Sequence, residues 1–90
     1  MQPSWWSEYD EPILEILHES GKALPPRVIH FNLEYENRAS PHRSTVKRRL
    51  NRLCDHGLTE KVDDSGYYII TDTGERFLEG ELDAESIEKD

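Results

Sequence analysis

Apolar residues fall into short groups along this chain, and the spacing within each group predicts an element. Ile13, Leu14, Ile16 and Leu17 make a one-sided face at helical spacing. Asp10 can cap that helix, and Glu11 and Pro12 suit its first turn, where a missing N–H costs nothing. Gly21 supplies the stop, so the first helix is expected over residues 11–20. Leu24-Pro25-Pro26 is a connector. A second helix starts at Pro26, carries Val28, Ile29, Phe31 and Leu33, and ends near Glu36; Asn37-Arg38-Ala39 is the turn after it.

Val46, Leu50 and Leu53 recur at i, i+4 and i+7, which puts them on one buried stripe. Ser40-Pro41 is a strong start signal, a capping hydroxyl followed by proline at the first helical position. Gly57 fits the left-handed position past the end, so a third helix is expected over residues 40–56. Two β-preferring runs follow, from Leu58 to Asp63 and from Tyr67 to Thr71, joined by a turn at Asp64-Ser65-Gly66. Thr71 or Asp72 caps a last helix with Phe77, Leu78 and Leu82 as its apolar positions. The expected order is three helices, a two-stranded hairpin and a C-terminal helix. Residues 1–85 form a single domain, and residues 86–90 an acidic, frayed tail.

Charge changes the picture. The chain has 19 acids, 11 Lys and Arg, and a net charge of −8, which at first argues against a polyanionic partner. The distribution argues otherwise. Arg38, Arg43, Lys47, Arg48, Arg49 and Arg52 cluster in a stretch that holds no Asp or Glu from Asn37 to Cys54. An acidic chain that keeps one acid-free basic block is built to meet a polyanion with it. The alternative is a solvated helix face that happens to be basic. Acidity with few lysines is also the composition of proteins that stay soluble in concentrated salt, where screening is strong.

Direction on the third helix sorts the basic residues. With Val46 at 0°, Leu50 and Leu53 fall at about 40° and 340°, whereas Arg48, Ser44, Asn51 and Arg52 fall between about 140° and 240°. A helix docked by its core stripe presents those residues outward, and a major groove is wide enough to admit it. The N-terminal part of such a helix reads bases. His42, Arg43, Ser44, Thr45 and Arg48 are therefore the base-reading candidates, with Arg43 and Arg48 able to bond two acceptors on a guanine edge. Arg38, Ser40, Lys47, Arg49, Arg52 and Lys61 are the phosphate candidates, Ser40 through the free N–H groups of the helix start.

The run Ser44-Thr45-Val46-Lys47-Arg48-Arg49-Leu50-Asn51-Arg52-Leu53-Cys54-Asp55-His56-Gly57-Leu58 resembles the recognition helix of winged-helix transcription regulators. The run Tyr67-Tyr68-Ile69-Ile70-Thr71-Asp72-Thr73-Gly74-Glu75-Arg76 is similar to the close of their wing. The acidic, 90-residue form resembles the small phi-H phage repressor-like proteins of halophilic archaea, over about residues 10–83. The resemblance implies an α+β, mainly helical, winged helix-turn-helix fold and a repressor that binds duplex DNA. One departure stands out. The wing tip is Asp63-Asp64-Ser65-Gly66, where many winged helices carry Arg or Lys, so wing contacts beyond Lys61 and Ser65 are not carried over.

Other chemistry is thinly represented. His18, His30, His42, His56 and Cys54 lack metal-ligand spacing, so no metal is expected. The five glycines form no phosphate-cradling loop, and no enzyme signature, cofactor motif or small-molecule site is evident. A single cysteine excludes an internal disulfide, and no apolar run approaches membrane-spanning length; the expected compartment is the cytoplasm. Trp5, Trp6 and Tyr9 precede the first helix and are too apolar to leave in water. Together with Phe77, Leu78 and Leu82 they are the candidates for a homodimer interface, because a lone chain of this size makes few base contacts. The leading expectation is thus a sequence-specific, duplex-DNA-binding regulator acting as a homodimer. The rivals are a winged-helix protein-interaction module without DNA binding, which the acidic wing favours, and a binder of structured RNA, which the narrow A-form major groove disfavours.

Overall fold

A computed structural model describes residues 4–80; the expected apolar position Leu82 and the tail 86–90 lie outside the described residues. The element order is α1 (Asp10–Ser20), α2 (Pro26–Tyr35), α3 (Arg43–Asp55), β1 (Thr59–Val62), β2 (Tyr67–Ile70) and α4 (Asp72–Leu78). This is the expected plan. The core is built by the predicted stripes: Ile13, Leu14, Ile16 and Leu17 of α1, Ile29 and Leu33 of α2, and Val46, Leu50 and Leu53 of α3 are buried. Leu58 and Tyr68 close it from the hairpin side.

Two helix starts differ from the sequence expectation. Asp10 does not cap α1 but is its first residue, fully buried, while Tyr9 takes the cap position. Its carboxylate accepts from the Ser7 backbone N–H and from Arg49, so a charge partner has taken the cap residue. In α3 the start moves from Ser40-Pro41 to Arg43, with extended His42 as the cap residue. Pro41 is buried ahead of the helix, and its carbonyl lies 3.1 Å from Nε2 of His30 on α2. That contact ties the turn to α2, and the chain turns helical three residues later than expected. The N–H groups left free at the helix start belong to Arg43, Ser44 and Thr45, not to Ser40.

The wing is an antiparallel pair, registered from Thr59 opposite Ile70 to Val62 opposite Tyr67. Leu24, expected only as a connector, adds a one-residue antiparallel rung to β2 through two backbone hydrogen bonds of 2.8 and 2.9 Å with Tyr68. Behind α3, Gly57 has φ +78° and the Leu58 N–H bonds back to the Leu53 carbonyl, which ends the helix and aims the chain into β1. The Thr-x-x-Gly close of the wing has a steric logic. Thr71 Oγ1 donates to the Gly57 carbonyl at 2.6 Å and accepts from the Gly74 N–H at 3.0 Å. Gly74 is so tightly placed that a Cβ there would run into the Leu58 carbonyl oxygen and lie 2.7 Å from Ile70 Cγ1. These contacts fix the wing relative to α3.

Candidate nucleic-acid interface

Packing divides the basic residues into two sets. In the first, each cation is held by carboxylates. Arg49 has a 15% exposed side chain and meets Asp10 through Nε at 2.9 Å and Nη2 at 2.8 Å. Its Nη2 also donates to the Trp5 carbonyl at 2.6 Å. Arg38 lies among Glu15 at 3.4 Å, Glu19 at 2.7 Å and Glu36 at 2.7 Å. The hydrogen bond to Glu19 raises the Arg38 guanidinium further and holds the Glu19 carboxyl below its ordinary value of 4.5. Both residues are phosphate candidates by sequence, and in the structure each is held by acids of its own chain. Arg49 faces the core side of α3, and Arg38 is turned toward α1 and neutralised by three acids. Arg76 pairs with Asp72 at 3.1 Å.

In the second set no carboxylate is in reach among the described residues. Arg43, Lys47 and Arg48 are exposed on α3, and Arg52 is half-buried beside them. Lys22, Arg27 and Lys61 are likewise unpaired; Lys61 on β1 lies 6.0 Å from the Tyr68 ring. Of the base-reading candidates, His42, Arg43, Ser44 and Arg48 are exposed and Thr45 is half-buried. Ser44 and Arg48 lie on the outward face of α3, as the wheel expects, while His42, Arg43 and Thr45 sit at its start. Ser40 is exposed but lies outside the helix. Ser65 is engaged in its own turn, bonding the Val62 carbonyl and accepting from the Tyr67 N–H at 3.2 Å.

Sequence reasoning left Asn51 out of the site. The Tyr68 hydroxyl donates to Asn51 Oδ1 at 2.8 Å, which orients the amide and leaves its NH2 donors for another partner. Burial pushes the Tyr68 phenol up, so it stays a neutral donor. The helical wheel already turns Asn51 outward; its partner is 17 residues away, beyond any local pattern. Ser4, Trp5, Arg48, Arg49, Asn51, Arg52 and Asp55 line an open groove of about 540 Å³ along the second half of α3. The outward face of α3 thus continues into a cleft walled by the N-terminal segment.

The aromatic dimer candidates are engaged within their own chain. Trp5 stacks on the buried His56 ring at 3.7 Å and 10°, and meets Trp6 edge-on at 5.5 Å. Trp6 packs on Phe77 at 5.0 Å, and Tyr9 and Leu78 are also partly buried against the core. These contacts pack the N-terminal segment and α4 against the core. Burial pushes the Cys54 thiol up, against a 3.1 Å hydrogen bond with Thr59 Oγ1, which is the setting of an unreactive side chain. Among the described residues no group of three His, Cys, Asp or Glu is arranged to hold a metal, and no helix is long and apolar enough to cross a membrane.

Comparison with known proteins agrees with this architecture. The winged helix-turn-helix phage repressor family matches residues 2–90. The repressor protein of Halobacterium phage phiH is 33% identical, over 94% of this chain and 92% of the relative. The crystal structure of the PhiH1 repressor-like protein from Haloarcula marismortui superposes with a TM-score of 0.79 at 36% identity, covering 100% of this chain and 96% of that one. With three packed helices, a hairpin wing locked by Thr71 and Gly74, and relatives that match nearly end to end, the chain belongs to the winged helix-turn-helix phage repressor family.

Proposed function

We propose that this protein is a non-catalytic repressor that binds duplex DNA in a sequence-dependent way, with α3 in the major groove. The observation that carries the reading is the separation of cations. Arg43, Lys47, Arg48 and Arg52 stand around the outer surface of α3 with no ion-pair partner among the described residues, while Arg38, Arg49 and Arg76 are paired with acids. On a chain of net charge −8, a basic run kept clear of carboxylates from Asn37 to Cys54 is suited to a polyanion. In this reading Arg43 and Arg48 take base edges, with His42, Ser44, Thr45 and the pre-oriented Asn51 beside them. Lys47 and Arg52 take phosphates, and Lys61 takes one from the wing. Asp63 and Asp64, exposed at the wing tip, keep the tip itself off the backbone. Two copies bind a two-fold operator, each reading a half-site about 34–36 Å from the other.

Fluorescence anisotropy with random and genomic-fragment duplexes over a salt series tests the proposal. Affinity that falls steeply with salt, with a subset of fragments resisting competitor, supports it. Absence of binding at low salt, where phosphate contacts are strongest, overturns it in favour of a protein-interaction module.

A further inference from the structure

Helix α2 leaves its outer face bare. Phe31 and Tyr35 are 60% and 77% exposed, and their rings stack on each other at 5.5 Å and 13°. Two stacked aromatics on a small acidic surface are costly to leave in water. Ile29 and Leu33 fix the inward direction of α2. At about 100° per residue, Phe31 therefore points straight out, Arg27 and Glu34 flank it on one side, and Val28 and Tyr35 flank it on the other. Arg27 is exposed and has no carboxylate partner among the described residues. The Glu34 side chain is 53% exposed, and its ion-pair contact among the described residues is His30 Nε2, at 3.7 Å.

This face is complementary to itself. We propose that it joins two copies of the chain, their α2 helices antiparallel about a two-fold axis at Phe31. Such an axis reverses position along the helix and keeps each flank on its own side. Phe31 then meets Phe31 of the partner subunit. Arg27 falls over Glu34 of the partner subunit, and Tyr35 over Val28 of the partner subunit, each contact made twice. A parallel pairing exchanges the flanks instead, bringing Arg27 over Val28 and Glu34 over Tyr35, and gains no ion pair. Aromatic and Arg anchors at the centre of a contact are the residue types that carry association. The inference rests on the two-copy part of the function proposed above and names its surface; it replaces the N-terminal aromatics, which are engaged within the chain.

Sedimentation equilibrium without DNA, in salt that keeps the chain folded, tests the surface. The variants are Phe31→Asp, Arg27→Glu, Glu34→Arg and the double exchange Arg27→Glu/Glu34→Arg. All three positions are exposed, and circular dichroism verifies that the fold is kept. The wild type is expected to dimerise with concentration, each single variant to weaken the dimer by about tenfold or more, and the double exchange to restore it. A wild type that stays monomeric, a dimer indifferent to Phe31→Asp, or a double exchange no better than the single reversals overturns the inference. Anisotropy on the same samples keeps the two readings apart. A monomer that binds DNA removes only the surface, and a dimer with no DNA affinity removes only the DNA reading.

Discussion

Arg49 and Asp10 form an ion pair across 39 residues of chain, with the carboxylate fully buried and the guanidinium bonding both its oxygens at 2.9 and 2.8 Å. The same guanidinium holds the Trp5 carbonyl, and Trp5 in turn covers His56 at the end of α3. One basic residue of α3 is thereby the tie between that helix, α1 and the N-terminal segment. Replacing Asp10 by Ala leaves the Arg49 charge half-enclosed without its partner. A loss of about 3–5 kcal/mol is expected for breaking a buried pair from one side. Chemical denaturation of Asp10→Ala against wild type measures it, and a loss below about 1 kcal/mol, the range of a surface pair, contradicts the role.

On the opposite face of α3, truncation should separate specificity from affinity. Arg48→Ala is expected to cost about 1–3 kcal/mol on preferred sequences and to narrow their advantage over random DNA. Lys47→Ala should weaken all sequences alike and reduce the slope of log affinity against log salt by about 0.9. Neither should move the midpoint of thermal unfolding much, since both side chains are exposed and unpaired. Equal losses on preferred and random duplexes for Arg48→Ala would remove it from the base-reading set.

The Arg38 cluster predicts a pH dependence. Its hydrogen bond holds the Glu19 carboxyl below its ordinary value of 4.5. A carboxylate depressed in the folded state adds stability that is present above its unfolded pKa and lost as pH falls through the folded one. Wild type and Glu19→Gln should therefore differ in melting temperature at neutral pH, and the difference should fade as the pH drops below the ordinary carboxyl range and through the lowered folded value. The difference should also shrink with added salt, because Glu19 is exposed. Parallel melting curves at every pH would show that this pair adds nothing.

Gly74 predicts a steric effect on the wing. A methyl group there meets the Leu58 carbonyl and Ile70 Cγ1, so Gly74→Ala should destabilise by about 1–3 kcal/mol, the usual cost of overpacking. Thr71→Val removes both the cap on α4 and the bond to the Gly57 carbonyl, and about 0.5–2 kcal/mol is expected from the cap alone. Hydrogen exchange should rise first at the Tyr68 N–H and Leu24 N–H, whose rung depends on the position of β2. A Gly74→Ala protein as stable as wild type would mean that the backbone at Leu58 yields freely.

Much of this architecture lies in local pattern. The 3.6-residue recurrence of Val46, Leu50 and Leu53 specifies which face of α3 is buried, and hence that Ser44 and Arg48 face outward. Gly57 and the Thr71-x-x-Gly74 close mark where α3 stops and the wing is fastened. Those features depend on neighbours a few residues apart, so their spacing is visible along the chain. The start of α3 at Arg43 departs from the local Ser40-Pro41 signal, and the bond between His30 and the Pro41 carbonyl joins residues 11 positions apart, outside any such local pattern.

The sequence by itself determined the elements, the core stripes and a basic block clear of acids. The tertiary structure decided which of those basic residues remain free. Arg38 and Arg49 look no different along the chain from Lys47 and Arg52. Yet packing α1 against α2 and α3 brings Glu15, Glu19 and Asp10 to the first two and to neither of the others. An ion pair depends on distance through space, and the helix packing that sets that distance joins residues 19 to 39 positions apart.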